Sequence, residues 1–428
     1  MAATGNTISG AMIGRRHVLY VEGYDPQGAE GYHKLFERSF KRCQKNWPIG
    51  AKIGALEIDS DDFAHWDVAA GGPNWRVHTR YEFLRQEQMI RANMAQPLWR
   101  QVPRALGWIL NYLYTGTLFR IYGASHRYGL AITHFQILLI YWLAASALGG
   151  WLAVWLALQL FVLPPAIGFV IGIAVAVACF ALLRPLADKL FVVQINSHWP
   201  YLLRYARGEA SCFDHCIEAG AQRLVEIARA NAADEIVVVG HSGGGVLAPA
   251  VVARALELDP ALGNHGPRVV LLTPGSLMPG VGLHRHASRV RAVIHRVAIE
   301  PSILWIDVQA RADVLNFYNF DPVKGIGIDA GARRCNPLIW TVRLRDMLAP
   351  EFYSKLRWNL FRMHYQFIMA NDMRAPYEYM MLVCGPLPVE QWARDGAATL
   401  ASFAADGTYR PQAQPQRTPS SPGRAEGA

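Results

Sequence analysis

One segment of the chain places a serine where nucleophilic catalysis would need it. Residues 235–249 read EIVVVGHSGGGVLAP, in which a β-branched run precedes the pattern G-x-S-x-G at 240–244. The run is typical of a buried parallel strand, and the pattern predicts a strained turn that exposes the Ser242 hydroxyl above the sheet. A glycine-rich turn, including one that binds phosphate, is the alternative. No Lys-Ser or Lys-Thr pair follows the glycines, so the Walker pattern is absent.

A serine nucleophile needs a base and an acid, and chain order narrows the choice of both. Where this motif serves catalysis, the acid and then the histidine follow the serine along the chain. Residues 302–310 are predicted to form a strand, and Asp313 follows it by three residues. His364 is the only histidine beyond Asp313, which makes it the candidate base. Asp321, in a later loop, and Asp307, inside the predicted strand, are the alternative acids.

The sequence leaves two roles open for His364. The periodicity of residues 358–369 predicts a helix, in which this histidine would serve only for packing or capping. As a base, it would take the proton from Ser242 and return it to the leaving group. Asp313 would then hold the imidazole tautomer and stabilise the imidazolium.

Two backbone N–H groups are predicted to bind the oxyanion that forms when a carbonyl is attacked. The first belongs to Gly243, directly after the serine. The second belongs to Tyr24, because an early strand at 17–21 runs into the turn Glu-Gly-Tyr-Asp-Pro at 22–26. A turn without a catalytic role would contain the same glycine and proline.

The serine motif, the Gly-Tyr turn, Asp313 and His364 together resemble the α/β-hydrolase superfamily, on its lipase and esterase side. The resemblance implies an α/β fold with a mostly parallel sheet flanked by helices, and a serine hydrolase that cleaves carboxylic esters. It covers the chain in two blocks separated by an insertion. Two features depart from the family pattern. The turn at 22–26 lacks a His-Gly-Gly signal, and Pro249 predicts a shortened or kinked helix after the serine.

The remaining patterns fit the alternating element order of an α/β sheet. Residues 51–58 and 268–273 are predicted strands, and 211–230 is a predicted amphipathic helix that leads into the serine strand. The block before the insertion, 1–98, and the block after it, 188–403, would form the hydrolase domain.

The insertion has the composition of a membrane hairpin. Residues 135–162 and 166–183 are apolar and uncharged, and Leu-Pro-Pro at 163–165 separates them. A spanning helix needs about 20 such residues, so the first run should tilt, or break at the paired glycines 149–150. A buried helical pair in a soluble core is the alternative. The predicted transmembrane unit is 133–187.

Charge predicts the orientation of this hairpin. The chain carries a formal charge of +9, and no Asp or Glu occurs between Gln88 and Ala187. The arginines of that stretch lie on the near side of the hairpin, which the positive-inside rule places in the cytoplasm. We therefore expect an integral protein of a bacterial-type inner (cytoplasmic) membrane, with its hydrolase domain in the cytoplasm. These arginines are Arg91, Arg100, Arg104, Arg120, Arg127 and Arg184.

Residues 99–132 interleave aromatic residues with arginines, a mixture that suits the headgroup layer of a membrane. We predict one or two interfacial helices there, with a cap subdomain whose core holds these rings as the alternative. A nucleic-acid role is not expected, since no binding module is recognisable. The aromatic residues are Trp99, Trp108, Tyr112, Tyr114, Phe119, Tyr122 and Tyr128.

The sequence predicts neither a cofactor nor a metal. Cys212, His215 and Cys216 could share a helix face, but no fourth ligand is evident. The six scattered cysteines favour reduced thiols in a cytoplasmic protein.

The predicted partners are a hydrophobic ester and the lipid bilayer. A GxxxG match at Gly168 and Gly172 leaves homo-oligomerisation through the hairpin open. Residues 404–428 are rich in Pro, Gln, Ser and Gly and are expected to be disordered.

The function that these features predict is a membrane-anchored serine hydrolase for carboxylic esters, with lipid or other hydrophobic esters favoured by the membrane segment. Thioester or amide cleavage and acyl transfer use the same machinery and are not separated by the sequence. A membrane scaffold with an inactive hydrolase fold is a further alternative. A transport or channel component is disfavoured, because the two apolar runs contain no acidic or basic residue.

Overall fold

A computed structural model of the chain describes residues 12–209 and 213–411, and nine strands of these residues form one sheet. The strands are β1 (Arg15–Val21), β2 (Gly50–Ile53), β3 (Glu57–Ile58), β4 (Phe63–Gly72), β5 (Trp75–Leu84), β6 (Glu235–Gly240), β7 (Arg268–Pro274), β8 (Ile303–Ala310) and β9 (Leu338–Val342). Their order across the sheet is β2-β4-β5-β1-β6-β7-β8-β9, and β3 pairs with β4.

The sheet is mostly parallel. Each neighbouring pair from β5 through β1 and β6 to β9 is parallel, whereas β2, β3 and β4 are joined by antiparallel pairing. The register sets Val21 at the end of β1 beside Gly240 at the end of β6. The carboxyl ends of these strands therefore meet at one edge of the sheet, where ligands of open α/β sheets bind.

Helices cover both faces of the sheet. Alternate residues of β1 show this, since Leu19 and Val21 are buried in one core and Val18 and Tyr20 in the other. The predicted α/β class, with a mostly parallel sheet flanked by helices, is confirmed. The helices are α1 (Gly28–Cys43), α2 (Glu87–Met94), α3 (Leu98–Tyr114), α4 (Thr117–Ala124), α5 (His126–Gln159), α6 (Pro165–Lys189), α7 (Val192–Ala206), α8 (Phe213–Ala230), α9 (Gly244–Leu258), α10 (Met278–Gly282), α11 (Ser288–Ala298), α12 (Leu344–Met347), α13 (Pro350–Leu356), α14 (Leu360–Tyr365), α15 (Tyr379–Cys384), α16 (Val389–Arg394) and α17 (Gly396–Ala401).

Two helices are long and apolar enough to cross a membrane, α5 with 34 residues and α6 with 25. At about 1.5 Å per residue, each exceeds the roughly 30 Å of a bilayer core. The first turns of α5 pack in the α/β domain through Tyr128 and Ile132. Farther along, large apolar side chains such as Trp151 and Val170 are exposed, unlike those of a buried helical pair.

The glycines of this hairpin serve the contact between its two helices. α5 is continuous through positions 149 and 150, so the break that the sequence allowed there is absent. A Cβ on Gly150 would lie 2.7 Å from the carbonyl oxygen of Gly172, and one on Gly168 would lie 3.1 Å from the Leu158 side chain. The glycines of the GxxxG match therefore allow α5 and α6 of one chain to pack closely. Homo-oligomerisation stays a prediction.

The aromatic residues of 99–132 divide between core and surface. Trp108, Tyr112 and Tyr128 are buried around Trp199, with ring centroids 5.4–6.4 Å away, as the cap alternative predicts. The interfacial prediction is thus corrected for these three rings, because they fill the core beside the sheet. The exposed members are Trp99, Tyr114 and Phe119.

The expectation of disorder from position 404 onward is corrected by residues 404–411, which are held by the β4–β5 turn. The Asn74 amide donates to the Tyr409 carbonyl at 2.8 Å and accepts from the Tyr409 N–H at 2.9 Å. The rest of that predicted tail, 412–428, lies outside the described residues, as does Cys212 at the start of the predicted helix 211–230.

Predicted strands 268–273 and 302–310 are confirmed as β7 and β8, whereas predicted strand 51–58 is split into β2 and β3. The helix after the serine, α9, is not shortened, since it runs for 15 residues with Pro249 inside it.

Candidate active site

Ser242 lies on a sharp turn between β6 and α9. Its φ is +58°, a left-handed conformation that costs a non-glycine residue about 1–2 kcal/mol. The flanking glycines make the turn possible. A Cβ on Gly240 would lie 2.6 Å from the Ala248 Cβ, and one on Gly244 would collide with the Val21 carbonyl oxygen. Such strain is characteristic of functional sites, where the surrounding structure holds it in place.

His364, on α14, and Asp313, just past β8, are brought together. The His364 Nδ1 lies 2.7 Å from the Asp313 Oδ2, and both side chains are buried. The same carboxylate accepts the Leu315 N–H and the Asn316 amide, each at 2.9 Å. These donors fix the orientation of the carboxylate, which in turn fixes the imidazole.

The two alternative acids are engaged elsewhere. Asp321 forms a bidentate ion pair with Arg334, with distances of 2.8 and 2.9 Å. Asp307 accepts the Thr273 hydroxyl at 2.6 Å and the Gln309 amide at 2.8 Å. Burial raises the pKa of Asp307 to about 6. Among the three candidates, Asp313 is therefore the one that contacts the histidine.

His364 and Ser242 line the same pocket, but no hydrogen bond joins the Ser242 hydroxyl to His364 in this structure. His364 Nε2 is buried and has no hydrogen-bond partner among the described residues. The neighbouring His241 holds the backbone of His364, since its Nε2 lies 3.1 Å from the His364 carbonyl oxygen. Burial lowers the pKa of His241 well below its ordinary value, so this ring is a neutral donor to that carbonyl.

The loop after β1 packs directly against the serine turn. A Cβ on Gly23 would lie 3.2 Å from the Gly243 nitrogen and 3.3 Å from the Ser242 Cβ. A Cβ on Gly243 would lie 3.4 Å from the Tyr24 nitrogen. The two backbone amides predicted to bind an oxyanion are thus adjacent, and the glycines permit that approach.

Asp25 ties this loop to the helix that carries His364. Its carboxylate accepts a hydrogen bond from the Tyr365 hydroxyl and another, at 3.4 Å, from the Tyr32 hydroxyl. Because Tyr365 directly follows His364, the contact couples the position of His364 to that of the Tyr24 amide.

Sequence reasoning missed His198, a buried histidine on α7. Its ring stacks on Tyr24, with centroids 4.7 Å apart, and its Nε2 would lie 3.1 Å from a Cβ on Gly243. Burial lowers the pKa of His198 to about 3, so the ring is neutral at neutral pH. A single histidine in a helix after the hairpin carried no sequence signal for this position.

The pocket above Ser242 is a narrow cavity of about 80 Å³. Its lining includes the polar residues Ser242, His364, Tyr24, Asp25 and His198. Its apolar wall includes Tyr128, Ile132 and Phe135 of α5, Ile195 and Trp199 of α7, and Leu277.

Within 12–209 and 213–411, no group of three or more His, Cys, Asp or Glu side chains is arranged to hold a metal ion. The chain matches no family model, no curated protein and no solved structure. Function is therefore inferred from the geometry of the site.

Proposed function

We propose that this protein is a membrane-anchored serine hydrolase that cleaves carboxylic esters through Ser242, His364 and Asp313. The observation that carries the proposal is the buried His364–Asp313 contact of 2.7 Å, with His364 lining the same pocket as a serine held at positive φ. A nucleophile, a base and a group that orients the base are the three parts that acyl transfer through a serine requires.

The steps follow from these positions. The Ser242 oxygen attacks the ester carbonyl carbon, and its proton passes to His364 Nε2. The N–H groups of Gly243 and Tyr24 bind the oxyanion of the tetrahedral intermediate. Collapse of that intermediate expels the alcohol, which takes the proton from His364. Water, deprotonated by the same imidazole, then attacks the acyl-enzyme. Collapse of this second tetrahedral intermediate releases the carboxylic acid, and His364 returns the proton to the Ser242 oxygen.

The two apolar helices favour a lipid or another hydrophobic ester as the substrate. The wall of the pocket includes three residues of α5, so the site is continuous with the segment that would enter the bilayer. The arginines on the near side of the hairpin support a cytoplasmic position for the α/β domain at the inner membrane. No cofactor is required for these steps.

The proposal has two alternatives: a related acyl-group chemistry at the same residues, and an inactive membrane scaffold. Transfer of the acyl group to an alcohol, or cleavage of a thioester, would use the same three residues. An inactive membrane scaffold would have no reason to keep Asp313 against His364, and their contact counts against it.

Labelling with a fluorophosphonate probe tests the proposal. The detergent-solubilised wild type should be labelled covalently, and Ser242→Ala and His364→Ala should both lose the label. Ser354→Ala, which changes an exposed serine of α13, is the matched control and should be labelled like the wild type. A folded wild type that takes no label would overturn the hydrolase assignment and favour the scaffold.

A further inference from the structure

Three phenylalanines from three elements meet where the apolar helices join the α/β domain. The Phe361 ring, on α14, lies 4.5 Å from Phe191 and 5.9 Å from Phe135, measured between ring centroids. Phe135 belongs to α5, and Phe191 follows the end of α6. The cluster of Phe135, Phe191 and Phe361 therefore bridges both apolar helices and the helix that carries His364.

Phe361 and Phe135 line the candidate catalytic pocket, whereas Phe191 does not and is 41% exposed. Phe361 thus stands between the pocket and the outer surface beside α6. Phe191 is also held at a φ of +59°, an uncommon conformation for a residue with a side chain. Its ring is kept against Phe361 by a backbone turn of this shape.

The path from Phe361 to the serine is apolar along α5. Tyr128, Ile132 and Phe135 recur at the spacing of one helix face and all line the pocket. This stripe connects the serine end of the site with the phenylalanine cluster. The cavity along this stripe is small, about 80 Å³, which leaves no room for a second acyl chain.

We propose that Phe135, Phe191 and Phe361 form a gate through which a single-chain, long-chain acyl ester enters from the bilayer. The acyl chain would lie along Tyr128, Ile132 and Phe135, and its ester carbonyl would reach Ser242. The inference rests on the proposed hydrolase function and adds to it the substrate class and the route of entry.

The test compares p-nitrophenyl octanoate with p-nitrophenyl palmitate on the full-length protein in detergent micelles. The readout is the ratio of kcat/KM for palmitate to that for octanoate. Both values come from one preparation, so the fraction of folded enzyme cancels. The wild type should favour palmitate.

Two variants should shift this ratio in opposite directions. Ile132→Trp fills the stripe and should lower the ratio by roughly 10-fold, and Phe191→Ala opens the outer end and should raise it by a similar factor. Phe169→Ala, which removes an exposed ring of α6 that does not line the pocket, is the matched control and should keep the wild-type ratio.

The outcomes separate the gate from the chemistry. A wild type that cleaves octanoate, with both variants at the wild-type ratio or shifted in the same direction, would overturn the gate and leave the hydrolase assignment standing. A folded wild type that cleaves neither ester would overturn both.

Discussion

The Nδ1 of His364 lies 2.7 Å from the Oδ2 of Asp313, and neither side chain is exposed to solvent. Leu315 and Asn316 direct two further donors at the same carboxylate. A carboxylate held in this way selects the tautomer that carries its proton on Nδ1, which leaves Nε2 as the acceptor nitrogen. The contact therefore determines which nitrogen of His364 can act as the base.

The first prediction concerns this contact. Asp313→Asn should lower kcat for ester hydrolysis by roughly 10³–10⁴-fold, because an amide in that position can donate to Nδ1 and stabilise the wrong tautomer. Steady-state hydrolysis of a chromogenic ester measures the loss. Asp321→Asn is the matched control, since it removes a carboxylate that pairs with Arg334 instead. Equal losses in the two variants would contradict the role given to Asp313.

The second prediction concerns the strained turn at Ser242. Ser242→Gly should be inactive yet raise the Tm, because glycine adopts a φ of +58° without the steric cost. Glycine removes about 1–2 kcal/mol of backbone strain but adds conformational entropy to the unfolded chain. The free energy of unfolding should therefore rise by roughly 0.5–1 kcal/mol. Thermal unfolding measures it. Ser242→Ala is the control, since it removes the hydroxyl but keeps the strain, and an equal gain there would assign the effect to the hydroxyl.

The local signals in the sequence were sufficient for the residues at strand ends. Ser242 lies in a motif with a fixed backbone conformation, and Asp313 follows a clear strand. For these positions the covalent order of the chain already limits the spatial arrangement, because parallel strands end at one edge of the sheet.

Residues that reach the site from the helices could not be read in this way. His198 and Phe361 reach the site through packing between distant helices, and neither position has a local pattern that indicates a pocket. The β4–β5 hairpin is a different case. Its turn signal, Gly-Gly-Pro-Asn at 71–74, is present in the sequence and is sufficient to predict the hairpin.

The third prediction concerns the approach of His198 to Gly243. Gly243→Ala should lower kcat by roughly 10-fold or more, because the new Cβ would lie 3.0 Å from His198 Cε1 and displace the ring stacked on Tyr24. The double variant with His198→Ala should recover part of that loss, since the atoms that the methyl group meets are gone. Esterase kinetics of the single and double variants measure the coupling.

The control for this cycle is Gly107→Ala, where a Cβ would meet no atom within 4 Å. It should leave kcat at the wild-type value. Strictly additive effects of Gly243→Ala and His198→Ala would show that the ring does not limit the space beside Gly243.

The fourth prediction concerns the pH dependence of stability. Burial raises the pKa of Asp307 to about 6, above the ordinary value of 3.8, so the folded state binds this proton more tightly. Its stabilising contribution is complete below about pH 3.8 and is lost as the pH rises through 6. The free energy of unfolding should fall by on the order of 2–3 kcal/mol over this pH range. Asp307→Asn should flatten the fall of Tm between pH 4 and 7.

Thermal unfolding across that pH range provides the measurement. Asp61→Asn, which changes an exposed carboxyl, is the matched control and should reproduce the wild-type slope. A slope that Asp307→Asn leaves unchanged would mean that Asp307 does not titrate with folding in this window.

The last prediction concerns the orientation of the hairpin. Val162, 81% exposed in the turn between α5 and α6, should lie on the far side of the membrane, and Cys335, exposed on the α/β domain, in the cytoplasm. A membrane-impermeant maleimide should therefore label Val162→Cys, made together with Cys335→Ser, in intact cells. It should label native Cys335 only in inverted vesicles. The opposite pattern would reverse the orientation, and labelling of both positions from one side would show that the two helices do not cross the bilayer.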